Sequence, residues 1–441
     1  MEKLSAVAKT LTPSPIQELS FLAQRRNAIN LAEGFPDFPA PSSIKDAAVS
    51  AINSDFNQYR HVQGICDLLA RKMKEMHGLD VDPQTDIAIC CGQTEAFASA
   101  IFASTLIAFS SYFLLKAIES LIFHARYCAE SIFVKLLYVS TAIDPGDEVI
   151  LFDPSFETYE GCITLAGGVP VFVALDPPHW SLDPQKLINS CTSKTKAIVV
   201  NSPQNPTGKV FTRAELEIIA KVCCTSDFLA ITDEVYEHLT FDEEKHISLA
   251  SLPGMQKRTI ITSSLSKTYS VTGWRIGWAI AASHFASAIR NFHIRITDSA
   301  PAPFQEAALT ALRSPSEYYE TLRADYKWKR DYMLELLDGL GFQIEYKPQG
   351  SFFVFVELPQ SCKLSDVEFV KELIEKAGVV AVPGRGFFHA KLPSEKLHRA
   401  GLDYHERYIR FAFCKSNATL ATAWQKLNEL VDSTGHLRLF N

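Results

Sequence analysis

Seven short apolar runs separated by helical patterns constrain this chain more than any other feature. They are Ile87–Cys91, Glu148–Phe152, Val169–Val173, Ala197–Asn201, Leu229–Asp233, Thr259–Ser263 and Arg275–Ala281. Several are apolar almost without interruption, as strands covered by helices on both faces must be. Helical stretches such as Arg213–Cys224 lie between them. The alternation predicts an α/β fold with a mostly parallel seven-stranded sheet between helices and ligand sites at the strand ends. After about residue 325 the pattern changes. A long polar helix, Tyr318–Leu337, leads to strand-like runs at Gly350–Glu357, Val379–Val382 and Tyr408–Phe413. A chain of 441 residues has room for two domains. The expected division is an N-terminal arm and part of a small domain over 1–45, a large domain over 46–325, and a small α+β domain completed by 326–441.

Net charge is −7 and no basic cluster stands out, which argues against nucleic-acid partners or an anionic membrane surface. The ten cysteines form no C-x-x-C pair, and Cys90, Cys91, Cys223 and Cys224 lie in apolar runs. They are expected to be buried thiols in a reducing compartment, with no disulfide framework and no metal site. Met1–Pro15 has no apolar signal core and is not Arg-rich, so the expectation is cytoplasmic, with organelle import left open.

One segment breaks the rhythm. Residues 104–141 are rich in Phe, Leu, Ile, Ser and Tyr, and Ala96–Leu115 carries no charge. That length meets the criterion for a membrane span. Lys116, Glu119, Arg126, Glu130 and Lys135 follow closely, so no span is expected. A helical hairpin on the surface is one reading. Translated intron sequence is another, because T-rich noncoding DNA encodes these residue types. A genuine insertion would be an aggregation hazard.

Lys267 lies in Thr262-Ser-Ser-Leu-Ser-Lys-Thr-Tyr-Ser-Val-Thr-Gly-Trp-Arg-Ile-Gly-Trp278. A lysine at a strand end can lose its solvation, which lowers its pKa and frees the amine to attack an aldehyde. Arg275, eight residues on, suits a phosphate held by paired hydrogen bonds. A lysine amine with a phosphate clamp is what pyridoxal 5′-phosphate (PLP) requires; a solvated surface charge is the bland alternative.

Other motifs follow strand candidates. Gly92-Gln-Thr-Glu95 opens a helix whose first amides, with the Thr94 hydroxyl, suit a phosphate, although N-capping is the usual task of such a threonine. Phe156, in Asp153-Pro-Ser-Phe-Glu-Thr-Tyr159, suits stacking on a pyridine ring or a place in the core. Asn201-Ser-Pro-Gln-Asn-Pro-Thr-Gly208 is either a plain turn or a loop aiming Asn205 at a phenolic oxygen. Asp233 ends an apolar strand, where a carboxylate needs a partner. A protonated pyridine nitrogen is one; the amides of a following helix are another. Tyr236 is three residues on.

In this order the motifs resemble those of the class I aminotransferases of PLP fold type I, over nearly all of residues 15–435 except 104–141. Lys267 to Arg275, with Gly273-Trp274, is the most specific part. The resemblance implies that Lys267 forms the Schiff base and serves as acid and base, and that Asp233 and Tyr236 assist catalysis. It implies that Gln93, Thr94, Ser264 and Arg275 hold the phosphate, that Phe156 stacks on the ring, and that Asn205 and Tyr236 bond the phenolic oxygen. Arg410, in Tyr408-Ile-Arg-Phe-Ala-Phe413, would take the substrate α-carboxylate, with Asn205 and Gly34 beside it. Tyr59 would reach the neighbouring subunit's phosphate, which implies a homodimer.

Asn30–Pro39, Ile231–Tyr236, Ser248–Pro253 and Tyr408–Lys415 look most like the kynurenine aminotransferase, glutamine transaminase K and cysteine-conjugate β-lyase group. The polar segment His293–Pro301 departs from the aromatic contacts of the animal members. The departure widens the expected donor beyond kynurenine to methionine, glutamine, phenylalanine or another large neutral amino acid, with a 2-oxo acid as the acceptor. A β-lyase on the same site, or a chain disabled by 104–141, are the alternatives.

Overall fold

A computed structural model describes residues 15–103, 143–389, 398–399, 402–433 and 436–440. Its strands, in chain order, are β1 Ile29–Asn30, β2 Ile87–Cys90, β3 Glu148–Asp153, β4 Val169–Ala174, β5 Thr195–Asn201, β6 Leu229–Asp233 and β7 Thr259–Ser264. They continue as β8 Gly277–Ile280, β9 Phe353–Glu357, β10 Val379–Val380, β11 Val382–Pro383, β12 His398–Arg399, β13 Leu402–Asp403 and β14 Tyr408–Ala412.

Seven of them form one sheet in the order β2-β8-β7-β6-β5-β3-β4. All neighbours pair in parallel except at β8, which is antiparallel to both β2 and β7. The continuous apolar runs are explained by alternation. Val149, Leu151, Ala197 and Val199 face a core that includes Phe97, Tyr159 and Ile289 from three helices. Ile150, Phe152, Ile198 and Val200 face the opposite core, with Leu216, Ile219 and Cys223 of the helix Arg213–Ser226. β3 and β5 are apolar on both sides because both sides are covered, whereas the edge strand β4 is partly open, with Val169 exposed. Burying one such side chain is worth about 2 kcal/mol, so the two packed faces dominate the fold's stability. The helix Arg213–Ser226 starts at a capping box, in which the side chains of Thr212 and Glu215 bond each other's backbone amides.

A second, three-stranded sheet, β11-β14-β9, is antiparallel and carries Arg410 opposite Val382 and Phe355. Residues near the start of the chain join this part: β1 pairs in parallel with β10.

The structure corrects two expectations. The last strand of the large sheet begins at Gly277, not at Arg275, because Arg275 adopts the left-handed conformation (φ 53°) after a short turn. Cys223 is buried, but Cys224 is exposed and Cys91 only partly covered. Neighbours on a helix point about 100° apart, so a core-facing Cys223 turns Cys224 outward. The apolar segment 104–141 lies outside the described residues. Among the described residues no helix is long and apolar enough to cross a membrane.

Candidate active site

Because β2, β3, β5, β6 and β7 run in the same direction, their C-terminal ends share one edge of the sheet. The chain enters antiparallel β8 from that same edge, with Gly277 opposite both Cys90 and Ser264. Residues just after five strands, and just before one, are thereby gathered around a single cleft. Its volume is about 1580 Å3, open mouth included. Gly34, Gln93, Thr94, Phe156, Asn205, Asp233, Tyr236, Ser264, Lys267, Arg275 and Arg410 all line it. Eleven residues spread over almost four hundred positions are thus brought together around one cleft. Tyr59 is not among them; it is 80% exposed and lines a separate hollow with Arg60 and His61.

At one end of the cleft Gly92 has φ 85°, and a Cβ there would meet Arg275 Nη2 at 2.2 Å. Only glycine lets the turn pass so close to the guanidinium. Arg275 itself is held by the carbonyls of Thr272 (2.9 Å) and Cys91 (3.3 Å). The helix Gln93–Ala103 begins here, and its first amides have no carbonyl behind them. Glu95 keeps this helix start in place, accepting from the Cys91 amide and facing His293 Nδ1 at 2.9 Å.

In the middle lies Asp233, fully buried at the end of β6. Tyr159 donates to its Oδ2 (2.6 Å) and the Val235 amide to its Oδ1 (3.2 Å). Burial pushes the carboxyl up to about 6 against these two bonds. The next residue, Glu234, points away and is anchored by His246 (2.7 Å), Ser248 (2.9 Å) and Thr232 (2.8 Å). That anchor fixes the turn which aims Asp233 and Tyr236 at the cleft.

Lys267 is half-buried, and its amine donates to the Gly34 carbonyl at 2.6 Å. Burial lowers its pKa to about 8. Arg410 is buried, with Nη1 on Asn205 Oδ1 (2.8 Å) and Nη2 on the Ala32 carbonyl (2.7 Å). Its Nε has no partner among the described residues. Burial lowers the guanidinium to about 10, so it stays charged at neutral pH. Gly34 sits against Phe353: a Cβ would meet that ring at 2.6 Å.

Tyr159 was missed by sequence reasoning, as were Glu33 and Glu157, which also line the cleft. The Tyr159 signal was present: it follows Asp153 by six residues in a motif already singled out for its aromatic rings.

The sequence profile of the family described as aminotransferase class I and II matches residues 134–426, well over half of the chain. The chain belongs to the class I and II aminotransferases. Human kynurenine–oxoglutarate transaminase 1 is 33% identical, with 94% of this chain and 95% of that protein covered. The methionine aminotransferase of Escherichia coli is 30% identical, covering 94% and 95%. Among solved structures, the N-succinyldiaminopimelate aminotransferase of Mycobacterium tuberculosis superposes with a TM-score of 0.81 at 31% identity, covering 96% of this chain and 99% of that one. This aminotransferase is therefore a fold type I, PLP-dependent enzyme related to the kynurenine aminotransferases.

The cleft of this aminotransferase fits its cofactor on its own terms. A glycine turn against an arginine, ahead of unbonded helix amides, suits a phosphate. A buried carboxylate with a raised pKa suits a cationic ring nitrogen. A desolvated amine suits an aldehyde.

Proposed function

We propose that this aminotransferase moves the amino group of a large neutral, aromatic or sulfur-containing L-amino acid to a 2-oxo acid, with Lys267 as the catalytic amine. The class is that of kynurenine, glutamine, methionine and phenylalanine. One observation carries the reading: Lys267, with its pKa lowered to about 8, shares a cleft with Asp233, Arg275 and Arg410. The relatives support the substrate class, since two of them are named for kynurenine and for methionine.

Each residue then has a task. The Gln93 and Thr94 amides, Ser264 and Arg275 hold the phosphate. Phe156 covers the ring, Asp233 pairs with the pyridine nitrogen, and Asn205 and Tyr236 bond the phenolic oxygen. When bound, PLP supplies an aldehyde for the amine and an electron sink for the substrate α-carbon. Arg410 binds the α-carboxylate in a fork, with the backbone at Gly34 beside it. Lys267 Nζ takes up and returns the proton at the α-carbon; a pKa near the working pH suits an amine for both directions. Asp233 keeps the negative charge that a protonated ring nitrogen needs.

The same reading makes the enzyme a homodimer, supported by Tyr59, whose exposed ring is free to reach a neighbouring phosphate. It divides the chain at about residues 45 and 325, supported by the β1–β10 pairing of the two ends. It places the protein in the cytosol, supported by the free thiols among the described residues.

Visible absorbance of the PLP-loaded protein, before and after methionine or phenylalanine, tests the proposal, together with release of the matching oxo acid. A spectrum that neither amino acid shifts would sink it. Thiol release from a cysteine conjugate in the same assay measures β-lyase activity.

A further inference from the structure

Glu234 turns away from the cleft into a buried group of carboxylates and imidazoles, behind the turn that carries Asp233 and Tyr236. The side chains of His77, Glu234 and His246 are only 4%, 2% and 3% exposed, and that of Glu237 is nearly as deep. They come from separate parts of the chain. His77 ends the helix Gln63–His77, Glu234 directly follows β6, and His246 lies in the loop beyond. Glu237 closes the turn, its amide donating to the Glu234 carbonyl at 2.9 Å. His77, Glu234 and His246 each present a ligand atom within 4.8 Å of the other two. The two imidazoles meet edge to face, their centroids 5.7 Å apart.

Two features set this group apart from an ordinary buried ion pair. His77 Nε2 is buried without a hydrogen-bond partner among the described residues; Glu237 Oε2 stands 4.0 Å from it, beyond hydrogen-bond reach. An orphaned polar atom at that depth is costly. Secondly, among the described residues no lysine or arginine pairs with Glu234 or Glu237; their ion partners are all imidazoles. Two buried carboxylates demand positive charge. Two protonated imidazoles supply it only by setting like charges side by side out of reach of water. One divalent ion supplies the same charge with both rings neutral, and gives His77 Nε2 a partner. Glu234 is already oriented for this. The Thr232 and Ser248 hydroxyls donate to its Oε1 (2.8 and 2.9 Å), which leaves Oε2 to face His246 Nε2 at 2.7 Å. Such outer bonds are what fix a ligating carboxylate. A second cluster among the described residues, Cys90, Glu95 and His293, differs: both Glu95 oxygens and His293 Nδ1 are already hydrogen-bonded.

We propose that His77, Glu234 and His246, with Glu237 as the fourth ligand, bind a zinc ion that pins the end of the helix Gln63–His77 to the turn bearing Asp233 and Tyr236. Imidazole and carboxylate ligands in a tetrahedral set suit zinc. Bonds of about 2.0–2.2 Å put ligand atoms about 3.4 Å apart, so the widest pair draws in by at most about 1.4 Å and the His246–Glu234 pair opens by about 0.7 Å. With four protein ligands the site is closed, and its role is structural. It stands apart from the cleft and from the substrate reading given above.

The test uses the full chain loaded with PLP, stripped of metal by a chelator, and titrated with zinc sulfate. Bound zinc is measured by atomic emission after desalting, and the melting temperature is recorded alongside. The wild-type chain should take up a single zinc ion, and its melting temperature should climb with zinc concentration. His77→Leu should weaken zinc binding by about a hundredfold or more and abolish that climb. This variant loses no hydrogen bond at Nε2, so the fold has no reason to fail with it. His246→Gln, which keeps a donor for Glu234, gives a second reading of the same loss. A wild-type chain that takes up no zinc, or that melts at the same temperature with and without it, overturns the proposal whatever the variants do. Full zinc uptake by both variants overturns it too, since the ion would then sit on the thiols or at the Cys90–His293 cluster.

Discussion

The phenol of Tyr159 donates a 2.6 Å hydrogen bond to Asp233 Oδ2, joining the first turn of the helix Glu157–Leu165 to the end of β6 at the foot of the cleft. Burial raises the Asp233 carboxyl to about 6, and this bond is the largest influence holding it down. A hydrogen bond to a charged group is worth about 1.5–3 kcal/mol. Its removal in Tyr159→Phe should therefore move Asp233 up by about one pH unit. A neutral Asp233 no longer pairs with a cationic ring nitrogen, and pairing is lost as pH falls through the Asp233 pKa. The acidic limb of the kcat/KM profile should shift upward by about one unit in the variant, with weaker retention of PLP. An acidic limb that stays in place would separate Tyr159 from the ionisation of Asp233.

How far the sequence reached can be judged on particular residues. The central strands were legible because both faces of the large sheet are covered there, which writes them as unbroken apolar runs such as Ile198 to Val200. The motif residues were legible as candidates because each sits directly after such a run. Arg275 was placed on the strand because apolar residues follow it, while its left-handed backbone is dictated by the turn from Thr272 to Trp274. Tyr159 was illegible in its role because its partner lies 74 residues away. Glu33 was passed over inside a motif read for its glycine; its relation to the cleft depends on Lys415, which lies in a different part of the chain.

Lys267 should cost the apo protein stability at neutral pH. Its folded pKa is depressed from 10.5 to about 8. Between these values the unfolded chain holds a proton that the folded chain has released, so this group's contribution rises with pH over that window and is least favourable below about 8. Lys267→Met removes the charge at similar volume. The apo variant should melt higher than the wild type at pH 7, and the gap should narrow towards pH 10. Transamination should fall by at least about a thousandfold at every pH, since both acid–base catalysis and the covalent attachment are lost. Equal melting of the two proteins at pH 7 would show that the lysine is solvated.

Gly92→Ala should damage the phosphate end of the cleft selectively. The position has φ 85°, and the new methyl would meet Arg275 Nη2 at 2.2 Å. The guanidinium is the far end of a flexible side chain and can move, but moving it breaks its bonds to the Cys91 and Thr272 carbonyls. The left-handed backbone adds about 1 kcal/mol of strain. Affinity for PLP should fall by about tenfold or more, because the turn and its arginine are displaced together. Titration of the apo protein with PLP, followed by absorbance, measures this. An unchanged dissociation constant would place the phosphate elsewhere.

Two lysines grip three consecutive residues on the cleft's rim. Lys415, almost wholly buried, donates to the carbonyls of Glu33 (3.1 Å) and Phe35 (2.9 Å) and lies 4.1 Å from the centre of the Phe35 ring. The Gly34 carbonyl between them accepts from Lys267. Asp37 adds a further tie, its Oδ2 accepting from the Thr419 hydroxyl at 2.6 Å. The rim is thus hung from the end of β14 and the helix that follows it. Lys415→Met keeps the length of the side chain but removes both bonds, each worth about 1 kcal/mol or more. Residues 33–35 should loosen, and the cost should fall on substrate binding: KM rises by about tenfold while kcat changes less. Lys415→Arg, which still offers donors to two carbonyls, should recover part of the loss. Hydrogen exchange at residues 33–35 gives an independent reading, since faster exchange accompanies the KM effect only if the rim has come free. A KM defect with normal exchange would instead place the ammonium charge of Lys415 itself in substrate binding.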